Sequence, residues 1–168
     1  MKIDIQGTKK CAFLNGILFN IWNYSDFGWG YYTPNAELAE SLGFKKEDCF
    51  NESKTYFLPI KDIAHTRGFY SYVGCKYKGY KCFVHSYGKN EKKFCVAIPE
   101  DLALTMGIDG YRWGHETPSM DVPLSDLDEI YRCREKLDDF IFDVDPIKPI
   151  YKDGKWLIEP DENGVYVI

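Results

Sequence analysis

Glu37-Leu38-Ala39-Glu40-Ser41-Leu42-Gly43-Phe44 reads against Asp101-Leu102-Ala103-Leu104-Thr105-Met106-Gly107-Ile108, further along the same chain. The same offset, without a gap, sets Leu58-Pro59-Ile60-Lys61-Asp62-Ile63 beside Val122-Pro123-Leu124-Ser125-Asp126-Leu127. Upstream it places Cys11 on Cys75 and Phe19 on Phe83. Self-similarity at a fixed period is a statement about architecture. It predicts two related β-then-α units, over 9–72 and 73–136. Leu-Ala followed by Gly is a common helix ending, so chance is the competing explanation.

Working outward, Asn15-Gly16 between apolar runs at 10–14 and 17–22 predicts a hairpin. Residues 24–30 read as a loop entering a third strand near 29–33. Thr33-Pro34 then opens a helix, with Thr as the cap and Pro at a position that loses no needed donor. Gly43 stops it. The second unit repeats the plan: strands near 69–77 and 80–86 around Lys78-Gly79, a strand at 93–98, a helix over 100–106 and Gly107. Leu124, Leu127, Ile130, Tyr131 and Leu137 fall near one face of a predicted third helix over 124–137, with Ser125 and Asp128 resembling a capping box. A C-terminal meander over 147–168 turns at Asp153-Gly154 and Glu162-Asn163-Gly164. The expected fold is α+β: mostly antiparallel sheet, three helices, and one globular domain over 1–168.

The chain of 168 residues is long enough for a substantial core. Residues 1–6 alternate as a strand, so no export signal is expected, and no apolar run reaches the length of a membrane span. The six cysteines (11, 49, 75, 82, 95 and 133) are then expected as buried thiols in a cytosolic protein. Net charge is −5 and unevenly spread: −1 over 1–60, +6 over 61–93 and −10 over 94–168. Such polarity steers encounters with charged partners.

No catalytic or cofactor motif stands out. Cys82-Phe83-Val84-His85 has ligand-like spacing, but in a strand the two end residues point to opposite faces. Neither a metal nor a cofactor is expected. His65, His85 and His115 are the only histidines that could serve as bases, and no nucleophile elbow accompanies them, which leaves a small hydrolase as an alternative. Lys76, Lys78 and Lys81 interleave with Tyr77 and Tyr80, a pairing that suits phosphate contact and base stacking. Lysines on an edge hairpin also keep other strands away, and the chain is acidic, so nucleic acid ranks below protein as the expected partner. Tyr111, Arg112, Trp113, His115 and Glu116 hold the hot-spot residue types, and Asp138 and Asp139 lie in the acidic part. These seven are the expected partner-binding residues. In profile the chain is similar to bacterial immunity proteins, which neutralise toxins. That resemblance implies a non-catalytic inhibitor whose acidic, aromatic surface covers a basic effector such as a nuclease.

Overall fold

The computed structural model describes residues 8–46, 55–88, 91–108, 117–158, 160–161 and 164–165. Within these the protein is mostly antiparallel β-sheet with two α-helices, divided into two compact units.

The first unit comprises Lys9–Ser71 and Glu135–Val144. Strands β1 (Lys9–Leu14) and β2 (Ile17–Tyr24) meet at Asn15-Gly16, where both residues have positive φ (51° and 77°). That is the geometry whose twist matches the flanking strands. β3 (Gly28–Thr33) pairs with β2 and with β5 (Tyr56–Pro59), and β4 (Lys45–Lys46) pairs with β5. β1 also pairs with the start of β6 (Gly68–Tyr77), which passes from the first unit to the second after Ser71. Helix α1 (Ala36–Leu42) starts later than Thr33-Pro34 suggests. Its cap is Asn35, whose Oδ1 accepts from the Leu38 N–H, while Thr33 Oγ1 accepts from the Asn35 N–H. Ala39, Phe19, Ile21, Trp29, Tyr31, Phe44 and Phe140 form the core of this unit.

The second unit holds Tyr72–Arg134 and Asp145–Ile168. Its ladder runs, in spatial order, β12 (Lys155–Trp156), β11 (Ile147–Lys152), β10 (Leu127–Lys136), β6, β7 (Tyr80–Gly88), β8 (Lys93–Ala97) and β9 (Ser119–Pro123). Helix α2 (Glu100–Thr105) buries Leu102 and Ala103 into a core with Val73, Phe94, Val96 and Ile130. Of the expected meander, β11 and β12 turn at Asp153-Gly154, and Pro160–Asp161 pairs with Gly164–Val165.

The two helices carry the same hydrogen bonds at the offset read from the sequence. Ala39 and Ala103 donate to Asn35 and Pro99, each at 3.0 Å. Phe44 and Ile108 donate to Ala39 and Ala103, each at 2.9 Å, around Gly43 and Gly107 at φ 76° and 70°. The strands keep the plan but not the offset. Ala12 faces Phe19 in one core, and the matching inward pair is Cys75 with Cys82, a spacing one position shorter than that of the helices. On the third strand Trp29 and Tyr31 match Phe94 and Val96, a spacing one position longer. Cys11 over Cys75 and Phe19 over Phe83 are therefore mismatched, because a one-residue slip moves a strand side chain to the other face. Cys11 pairs with Asn20, outside the face that carries Ala12 and Phe19, whereas Cys75 is in the second core.

The expected third helix is not formed. Leu124–Asp126 make a single 3-10 turn and Leu127–Lys136 are strand β10. Ile130, Arg132 and Arg134 are all buried, so the inward face of β10 runs at period 2. In the helical reading Arg132 stands away from the apolar face, whereas Arg134, four residues after Ile130, interrupts it. In the strand they fill inward positions, and Arg132 is only 1% exposed. The register shift between Ile130 and Tyr131 places the extra residue on β11, where Ile150 is passed over and Ile150 and Tyr151 are both buried. Ser125 donates to Asp126 rather than capping a helix.

Candidate functional site

The expected anchor loop, with Tyr111, Arg112, Trp113, His115 and Glu116, lies outside the described residues, as does Cys49. Asp138 and Asp139 are exposed in the turn after β10, with Asp138 at φ 38°.

The hairpin β6–β7 sorts the lysines from the tyrosines. Its ladder pairs Tyr77 with Tyr80 and Lys76 with Lys81. Tyr77 is buried in the second core and Tyr80 packs against it, so neither ring is presented on the lysine side. Lys76 and Lys81 are exposed together on the opposite face, and Lys78 occupies the turn at φ 51° with its Nζ 5.6 Å from the Tyr77 ring centre.

Cys75 and Cys82 face each other on the inward side of the same hairpin. Burial pushes the Cys75 thiol up to about 12, helped by the neighbouring Cys82, and burial also pushes Cys82 up. Both are therefore poor nucleophiles. Cys82 is buried while His85 is exposed, in a strand whose register shifts between Val84 and Ser86. Among the described residues, no group of three or more His, Cys, Asp or Glu is placed to hold a metal ion. His65 Nδ1 lies 2.8 Å from Asp62 Oδ2, but Asp62 also accepts from the His65 N–H, so this exposed pair caps a 3-10 turn.

Exposed rings gather at one end of the first unit. On β2, Ile17, Phe19 and Ile21 point into the core, so Trp22 and Tyr24 project from the other face. Trp22 pairs with Gly30 and Tyr24 with Gly28, so neither ring meets a side chain directly across the ladder. A Cβ on Gly30 would stand 1.8 Å from the Phe57 ring; only glycine leaves that ring its place. Phe57 in turn makes an edge contact with Tyr24 (4.5 Å between centres) and a tilted one with Phe27 (5.4 Å). Trp22 stays 57% exposed and Phe27 46% exposed, with Asp26 in the turn between them. Single exposed apolar residues are ordinary, whereas neighbouring exposed rings on a paired hairpin suit a contact surface.

In the sequence, residues 24–30 read as a loop, which hides this surface. The legible signal is the spacing: Trp22 and Tyr24 two apart on a strand, then Gly28 and Gly30 two apart on its partner. No protein-family model, curated protein or solved structure matches the chain. No helix among the described residues is long and apolar enough to cross a membrane.

Proposed function

We propose that the protein acts by binding a basic protein partner through the Trp22–Tyr24–Phe27 surface of its first unit. The observation that carries this is Trp22, a large ring left mostly exposed at the end of a paired strand. Tryptophan and tyrosine are the residue types that most often dominate interface energetics. Rings beside Asp26 suit an arginine or lysine side chain, through a cation–π contact worth about 0.5–2 kcal/mol and a carboxylate partner. The net charge of −5 supplies attraction at longer range. A cytoplasmic inhibitor of a cationic effector, in the manner of an immunity protein, is the biological role that goes with this chemistry. Loop 109–118 remains the second proposed anchor.

We also propose that the two units descend from one duplicated β-β-β-α-β element. The matching hydrogen bonds of the two helices support it. The offsets of 63, 65 and 64 in the hairpin, third strand and helix fit two extra residues in the second copy before the third strand and one fewer after it, since the duplication.

The test is chemical cross-linking in native lysate, with the bound protein identified by mass spectrometry. The wild-type chain should enrich a protein of high isoelectric point, and Trp22→Ala, equally folded, should not. Equal capture by Trp22→Ala, or enrichment of acidic proteins, would remove this surface from the account.

A further inference from the structure

We propose that the outer face of the second unit's ladder is a binding site for single-stranded nucleic acid. Strand periodicity puts Tyr72, Gly74 and Lys76 of β6 on that face, and the ladder sets Gly74 against Phe83 and Lys76 against Lys81. The rings here are not the Tyr77 and Tyr80 that the sequence interleaves with lysine. They are Tyr72, Phe83 and Tyr131. Tyr72 and Phe83 lie 5.9 Å apart with planes at 33°, and His85 meets the edge of Phe83 at 5.0 Å. Tyr131 from β10 covers Gly74 so closely that a Cβ there would stand 2.6 Å from its ring. The result is a group of half-buried rings, Tyr72, Phe83 and Tyr131, with the exposed His85 beside them.

Charge decides the occupant. Lys76 and Lys81 are like charges directly opposed across a ladder, an arrangement that costs stability. No described carboxylate forms an ion pair with either lysine. An anion lying along the hairpin relieves that repulsion. Rings beside lysines on an open sheet suit unpaired bases, which stack on aromatic faces while phosphates meet the ammonium groups. A duplex hides its base faces and so cannot use the rings. An acidic peptide could meet the lysines but would gain nothing from Phe83 stacking. The acidic balance of the whole chain makes this a weak, salt-labile site.

Fluorescence anisotropy of the full chain with end-labelled oligo-dT of about 12 nucleotides tests the proposal. Binding is expected at about 50 mM salt, falling with a log–log slope of about −1.4, as two lysine–phosphate contacts dictate for a single strand. Lys76→Glu with Lys81→Glu should cut affinity at least about tenfold. Phe83→Ala should cut it about tenfold and Phe83→Trp should keep it. Where Phe83→Ala lowers folding, quenching of a 2-aminopurine base by the wild-type chain reports stacking directly. Absent binding at low salt, equal affinity for duplex DNA or poly-glutamate, no quenching, or indifference to the lysine pair would each overturn the proposal.

Discussion

The outer faces of the two units use aromatic rings in opposite company. In the first unit, Trp22 and Tyr24 stand across from Gly30 and Gly28, next to one carboxylate, Asp26. In the second, Phe83 stands across from Gly74, close along the ladder to the opposed Lys76 and Lys81. Both units place a ring over a glycine, Phe57 over Gly30 and Tyr131 over Gly74. The comparison teaches that two units with the same order of strands and helix set different charges beside the rings of their outer faces. The proposed ligands differ accordingly: a cationic protein for the first face and an anionic strand for the second.

Filling the two glycines is the harshest way to probe that comparison. Gly30→Ala is expected to cost about 3 kcal/mol or more, because its Cβ would land 1.8 Å from a ring that is itself buried. Gly74→Ala should cost less, about 1–2 kcal/mol, because Tyr131 is only half-buried and can swing outward. Urea titrations of both variants measure the difference. Equal losses would mean that Tyr131 is as firmly held as Phe57 and that the second face is less adaptable than described.

The helix ends give a more even comparison. Gly43 and Gly107 adopt φ of 76° and 70° with matching backbone hydrogen bonds. Replacing either by Ala should cost about 1 kcal/mol, and the two losses should agree closely. A large disagreement would weaken the view that the helical segments are copies.

What the sequence shows clearly is local chemistry. The hairpin turns at Asn15-Gly16, Lys78-Gly79 and Asp153-Gly154 all need positive φ at both positions, and residue type announces that need. Helix stops at Gly43 and Gly107 are legible for the same reason. What stays hidden is parity. One ungapped offset serves the helices, yet single-position shifts in the strands turn Cys11 and Phe83 to faces opposite those of their supposed mates. β10 is hidden further by Arg132 and Arg134, because charged residues at inward strand positions interrupt the apolar alternation by which such a strand is read. Arg134 shows the cost of that placement: burial pushes its pKa down, while Asp145 opposes the shift. The proposed binding faces are concealed in the same way, since only the observed register tells which rings share a side with Lys76 and Lys81.

A smaller effect is the alkaline pH dependence of the second core. The folded state holds the Cys75 thiol near 12, well above its ordinary value, chiefly through burial. Below the ordinary thiol range the folded and unfolded states bind the proton equally. Above it the unfolded chain ionises first and is favoured, so stability falls as pH rises towards 12. Tyr131, also pushed up to about 12 by burial, acts in the same direction. Thermal melts between about pH 8 and pH 10.5 should therefore show a decline that Cys75→Ala makes shallower. An unchanged pH profile in that variant would show that the second core does not exclude the thiolate.

The most direct test of the central claim compares wild type and Trp22→Ala for affinity towards the cross-linked protein partner and for melting temperature, on the same preparations. The account predicts a loss of roughly 2 kcal/mol or more in binding, mostly as faster dissociation. It also predicts a melting temperature within about 2 °C of wild type, because the ring is already 57% exposed. Unaltered binding, or a collapse in melting temperature with normal binding by the folded fraction, would contradict it.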